Sequence, residues 1–465
     1  MKKLLLSLCV STGLAGCASV SRESAPPATF EGFKQVSTYE PLPGLVVYSY
    51  LHEASGLRVL VQPRPDTAVV AYVTAYDVGS RFESAGHTGL AHLFEHMMFR
   101  GTPSFPEPFK TLSGWGDRFN AYTSFDLTLY HQLVPREVFG EVAKFEAERM
   151  RQLQINETVF KTERGAVISE RKMRTEDSPG GRLFWELAQS AFDTHPYQTG
   201  PIGWQEDLDA TSFEDALAFY RRYYAPNRAV ISIVGDVSVS EALKTLHKNY
   251  GSFKSEPWTE PKIPAENLKR KDRRSVIAMQ AESVYMADAR FTAGVGNPQN
   301  AAEMLLCSLL ADSKLGFLTY ELVETKIAQS VNDSCYFLAD PGLASIHVTG
   351  NPSVSVEKLE SAYDKALKKF PAWLSSERLE GIKLFYLAYH LGELREPMGL
   401  AENLAYNAVT SKNPVFGFTF MEQIRNVTLP QVKEVWADWQ KRAKTRVILK
   451  PAKKSAPFKR KTVKK

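Results

Sequence analysis

Residues 89–99 read Gly-Leu-Ala-His-Leu-Phe-Glu-His-Met-Met-Phe. The run is apolar apart from His92, Glu95 and His96, and has no Gly or Pro after its first residue. Its length and composition predict a buried helix. Such a helix should not bury two imidazoles and a carboxylate without compensation. On a helix, His92 and His96 stand at i and i+4, one turn apart on one face. Two imidazoles at that spacing can share one tetrahedral zinc ion. Glu95 projects from the same side, near such a metal without having to bind it. A general base must stand there to take a proton from water. The bland alternative is a pair of inert, hydrogen-bonded histidines, and the apolar flanks weigh against it.

A catalytic zinc site needs a third protein ligand and an open position. The helical stretch that follows offers Glu163 and Glu170. They are seven residues apart, two turns, and share a face. One can ligate while the other orients. Glu146, Glu148 and Glu157 fit solvated helix faces better.

The chain start reads as a targeting segment. Met1-Lys2-Lys3 precedes a short apolar run, then Leu14-Ala15-Gly16-Cys17. The run is too short to span a bilayer. Small residues before a Cys resemble the bacterial lipobox, with cleavage before Cys17 and lipidation of that residue. Ala18 after the Cys resembles the pattern of outer-membrane retention. The expectation is a signal peptide over 1–16, then lipidated Cys17 with a Ser/Ala/Pro-rich tether to residue 43. That places the body in the periplasm, lipid-anchored to the outer membrane. The remaining cysteines, Cys307 and Cys335, can form a disulfide or remain two buried thiols.

The body reads as α+β, twice over. A hairpin is expected around Glu53–Gly56, a strand at 68–76, and a single strand stretch at 119–134. Helices are expected at 137–153, 157–173, 213–224 and 238–250, with a strand at 229–235. Pro257, Pro261 and Pro264 with the charge run 269–274 mark a linker over 254–275. Strands and helices then recur in similar order, including helices at 300–310 and 316–325, to a last strand at 446–450. The division expected is a zinc-bearing domain at 44–253, a second inactive domain at 276–451, and a basic tail at 452–465. The formal net charge is +5. Without Lys2, Lys3 and the seven basic residues of the tail it becomes about −4, which gives no support to nucleic-acid binding. The tail reads as disordered, free to touch anionic lipid or a partner.

His-x-x-Glu-His is the inverzincin order. With the following Met97-Met98-Phe99-Arg100-Gly101-Thr102 it resembles the pitrilysin/insulinase family of zinc metallopeptidases. So do Asn120-Ala121-Tyr122-Thr123 with Asp126 and Tyr130, His195-Pro196-Tyr197, and Tyr223-Tyr224-Ala225-Pro226-Asn227. The resemblance implies two homologous domains, each a mainly antiparallel sheet packed against helices, forming half of a clam-shell. It implies one Zn²⁺ held by His92, His96 and Glu170, with Glu95 as base and Glu163 as supporting carboxylate. It also implies peptide substrates added to a sheet edge at Asn120, Ala121, Tyr122 and Thr123, where an unpaired strand offers backbone groups to any extended peptide.

The second half departs from the pattern. Active members carry a substrate-binding Arg and Tyr where this chain has Val323 and Gln329, and no Arg lies between Arg290 and Arg378. The expectation is therefore an envelope endopeptidase that is the zinc-bearing chain of a two-chain enzyme, with a homologous partner supplying Arg and Tyr; a homodimer is the bland alternative. The rival class is a non-catalytic scaffold or peptide-binding lipoprotein, which would have no need of Glu95.

Overall fold

The structure is a computed structural model that describes residues 26–116 and 118–460. The signal peptide and Cys17 lie outside the described residues. Two sheets organise the chain. The first has eight strands: β1 (Thr29–Phe30), β2 (Phe33–Leu42), β3 (Leu45–His52), β4 (Arg58–Pro63), β5 (Val69–Tyr76), β6 (Phe119–Thr123), β7 (Thr128–Pro135) and β8 (Ala229–Gly235). Their order is β1-β2-β3-β4-β8-β5-β7-β6. The second has β9 (Arg273–Met279), β10 (Tyr285–Phe291), β11 (Ala328–Cys335), β12 (Leu343–Gly350) and β13 (Thr445–Pro451), in the order β11-β12-β10-β13-β9.

The two sheets share one topology. β4 runs parallel to β8, and β5, β7 and β6 follow antiparallel. β9 runs parallel to β13, and β10, β12 and β11 follow antiparallel. The duplication is one of strand order, with no direct sequence repeat behind it.

The first half carries α1 (Leu90–Met97), α2 (Pro108–Trp115), α3 (Phe139–Arg151), α4 (Glu157–Arg171), α5 (Pro179–Ala191), α6 (Gln205–Ala210), α7 (Phe213–Tyr223) and α8 (Val239–Tyr250). The second carries α9 (Asn300–Ala311), α10 (Val356–Trp373), α11 (Ser376–Arg395), α12 (Pro397–Thr410), α13 (Phe416–Asn426) and α14 (Leu429–Trp439). Each half lends a helix to the other. Leu400, Leu404 and Ala408 of α12 cover one face of the first sheet, against Val73 and Val230. Leu183 and Leu187 of α5 pack on Ala287 and Val447 of the second. Both faces of the central strands are thus covered, so β8 is buried at every residue and its sequence does not alternate.

A polar cluster ties the halves together. Asp340 accepts from Arg81 at 2.7 Å and pairs with His195 at 3.1 Å. Asp126 accepts from the Tyr197 hydroxyl at 2.6 Å and from the Ala339 amide at 2.9 Å. Cys307 and Cys335 form a disulfide between α9 and β11.

Four sequence expectations are corrected. The tether read over 17–43 does not extend to its end. Residues 29–42 are strands, and β2 pairs along β3. Of β2 only Phe33 is fully buried, so backbone pairing rather than composition holds it in place. The single strand at 119–134 is two, β6 and β7, joined by a turn at 124–127. The helix at 316–325 is shorter, running over 317–323 with Thr319–Val323 in π geometry. The tail over 452–465 is docked as far as residue 460. Ala456 donates to the Ala278 carbonyl, and Arg182 donates to the carbonyls of Ala456 and Pro457. Phe458 lies between Trp185, Trp204 and the Arg171 and Arg182 guanidiniums. Arg460 meets Asp207 at 2.5 Å. A basic composition hid a segment anchored by one ring and by cations of the body.

Candidate metal centre and peptide edge

The helix α1 starts from a tight crossing. Gly89 is left-handed at φ 92°, and a side chain there would meet the Ile202 carbonyl at 2.7 Å. Gly203 faces it at φ 77°, where a Cβ would lie 2.5 Å from Gly89. Only two glycines let these loops touch. The Glu83 carboxylate accepts from the amides of Gly89 and Ala91, both at 2.8 Å, and so satisfies free donors of the first turn. Asp207 fixes the preceding residue by accepting from the Thr88 amide and hydroxyl. Phe94 stacks on Tyr220 with centroids 5.5 Å apart. The α1 backbone is thus held on several sides before its polar residues are placed.

Those residues share a face, as the i, i+4 spacing requires. His92 is 8% exposed and His96 half-buried, with ring centroids 4.9 Å apart. Glu170, from the last turn of α4, brings Oε2 to 3.2 Å from His96 Nε2 and 3.9 Å from His92 Nε2. One donor atom from each lies within 4.8 Å of the others. Among the described residues this is the one such trio.

Glu163 is buried beneath it. Its Oε2 is 3.7 Å from His96 Nδ1, and its other oxygen meets Arg100. It therefore orients the imidazole whose Nε2 faces Glu170, as an outer carboxylate does for a metal-ligating histidine. Arg174 holds the second oxygen of Glu170 at 2.8 Å. Sequence reading missed Arg100 and Arg174. Arg174 is four residues after its partner Glu170, and that spacing was the available signal; Arg100, past the end of α1, meets Glu163 from another helix and had none.

Glu95 accepts from the Thr123 hydroxyl at 2.7 Å. Burial raises its carboxyl above the usual range, and the Thr123 bond opposes the rise. Burial, then the neighbouring His96, lowers His92 to about 4. His92 is thus neutral at pH 7, the form that can ligate. The Glu170 carboxyl is lowered, first by its bond with His96. Two imidazoles one turn apart, one ionised carboxylate and an oriented Nδ1 suit a divalent zinc ion.

β6 is the edge of the first sheet and pairs only with β7. Its residues alternate. Ala121 is buried with the α1 side and Thr123 reaches Glu95, whereas Asn120 and Tyr122 face outward and are exposed. All four residues of the expected substrate strand thus stand on an open edge beside the trio. The remaining histidines have other partners, such as Glu402 for His131 at 2.5 Å and Ser345 for His347 at 2.8 Å.

Known proteins resemble this chain along most of its length. The insulinase (peptidase family M16) family model matches residues 58–200, and the model of the M16 inactive domain matches 211–385. The zinc protease PqqE of Helicobacter pylori is 28% identical over 421 residues, 87% of this chain and 94% of the relative. The uncharacterized zinc protease YmxG of Bacillus subtilis is 26% identical over 337 residues, 71% of this chain and 80% of the relative. Among solved structures, a Helicobacter pylori protease superposes with a TM-score of 0.81 at 25% identity, over 90% of this chain and 99% of that one. The periplasmic protease PqqL of Escherichia coli shares the fold at 18% identity and a TM-score of 0.69, with 93% of this chain matching 50% of that one.

Proposed function

The chain belongs to the insulinase (M16) peptidase family, and from that premise we propose that it is a zinc-dependent endopeptidase of the bacterial cell envelope. The observation that carries the reading is Glu95 beside the His92, His96 and Glu170 trio and bonded to the open edge strand. One Zn²⁺ held by the trio supplies Lewis-acid polarisation and makes water more acidic. Glu95 takes the proton of the attacking water and passes it to the leaving amine nitrogen. Glu163 and Arg100 hold His96 in orientation, and Arg174 holds Glu170. β6 binds the peptide backbone as an added strand through Asn120, Ala121, Tyr122 and Thr123.

The same reading makes this chain one half of the working enzyme. Val323 and Gln329 stand where the family has its substrate-binding Arg and Tyr, and the full PqqL chain is matched over half its length. A homologous partner chain supplies the missing pair and closes the chamber. Cys17 anchors the assembly by its lipid to the outer membrane, facing the periplasm. Zinc content and hydrolysis of a quenched peptide, with and without candidate partners, test this. One zinc per chain and at least tenfold activation by a partner are expected; full activity of the isolated monomer would overturn the two-chain reading.

A further inference from the structure

Tyr122 points away from the zinc face of β6 and opens onto a cavity of about 520 Å³. The other walls come from the second half, with Tyr386, Tyr389 and Glu393 on α11 and Glu402 and Tyr406 on α12. Glu393 and Glu402 are its charged residues, and among the described residues no Lys or Arg lines it. Tyr389 is 60% exposed, so the cavity is reached from solvent.

We propose that this cavity is a subsite for a Lys or Arg side chain of the peptide substrate. The proposal rests on the reading that peptides add to β6. Side chains of an added strand alternate between the two faces of the sheet. Thr123 is bonded to Glu95, and Tyr122 is the next residue along. A substrate residue opposite Tyr122 therefore lies within about two positions of the cleaved bond, with its side chain directed at the cavity. Aromatic faces and carboxylates together favour a cation: the rings attract it through their quadrupoles, and the carboxylates form charge-assisted hydrogen bonds. A neutral aromatic side chain would use the rings alone and leave two carboxylates without a new partner.

The test uses matched quenched peptides with Arg, Lys, citrulline, Phe or Glu at each position around the cleaved bond, and the zinc-loaded full chain with its partner. Binding of the same peptides to the Glu95→Gln chain is measured by anisotropy. Arg or Lys at one position should raise kcat/KM at least tenfold over citrulline and tighten binding likewise. The Glu393→Gln/Glu402→Gln double variant should bring both ratios close to one. Because Glu402 also pairs with His131, Glu393→Gln and Tyr389→Ala are tested separately, and each should lower the ratios. Arg-selective binding without cleavage would keep the subsite and sink the catalytic reading. Cleavage with no preference for Arg or Lys, or a preference the double variant retains, would sink the subsite alone. Neither binding nor cleavage would sink both.

Discussion

The helices α1 and α9 occupy the same place in the duplicated topology, each following the strand next to the parallel pair. Counted from the helix start, the third, sixth and seventh residues are His92, Glu95 and His96 in α1. In α9 they are Ala302, Leu305 and Leu306, all buried. At these three positions α9 needs no polar partner, since its apolar surface is its packing, and its one buried carboxylate, Glu303, meets Arg442. α1 needs Glu170, Glu163 and Thr123 to meet its polar groups. The fold supports this helix with or without chemistry, and the site is an addition to it. The tie between helix and edge strand differs in the same way. In the second half it is the disulfide Cys307–Cys335, spanning 28 residues. In the first half it is the hydrogen bond Glu95–Thr123, also spanning 28.

Writing the α9 pattern into α1 is the strongest way to break this comparison. The triple variant His92→Ala, Glu95→Leu, His96→Leu should lose all zinc and all hydrolysis while its melting temperature stays at or above that of the metal-free wild type. Unfolding of that variant would mean that the fold depends on the site. The disulfide comes next. Cys307→Ser opens a 28-residue loop and should cost about 2–4 kcal/mol. Denaturant titration reads this, and zinc affinity should not change because the bond lies in the other half. Thr123→Val removes the corresponding polar tie and should lower kcat about tenfold, the worth of one hydrogen bond to a charged group. Phe458→Ala should cost about 1–2 kcal/mol, less than a fully buried Phe, because the ring is only partly buried.

The smallest effect concerns pH. Asp340 is held down to about 2, first by its bond with His195 and then by Arg81 against burial. Its folded value lies below the ordinary 3.8, so its contribution is complete above that pH and is lost as pH falls toward 2. Asp340→Asn should remove this part of the acid sensitivity, measured as the difference in melting temperature between pH 5 and pH 3.

Sequence spacing carried the two histidines, because imidazoles at i, i+4 can share one zinc ion; it left Glu163 and Glu170 open as third donor, and the family resemblance singled out Glu170. The edge strand followed from the family pattern. The exchange of α5 and α12 was not legible, since a helix's apolar stripe does not say which sheet it covers. β2 was missed because an outer strand needs few buried residues. The docked tail was missed because its one aromatic anchor, Phe458, sits among seven basic residues that read as solvated. Arg174 stands at i+4 from its partner Glu170, yet arginines at that spacing are common on solvated faces, and Arg100 lies past the end of α1 and meets Glu163 of another helix, which no local spacing announces.

The central claim is that Glu95 is the base of a zinc site and not a relic of one. Zinc content and peptide hydrolysis of Glu95→Gln, measured beside the wild type with the same partner, test it most directly. One zinc per chain in both, with hydrolysis lowered about 10²–10⁴-fold in the variant, is the predicted result. A variant that keeps its zinc and cleaves at the wild-type rate would contradict the account.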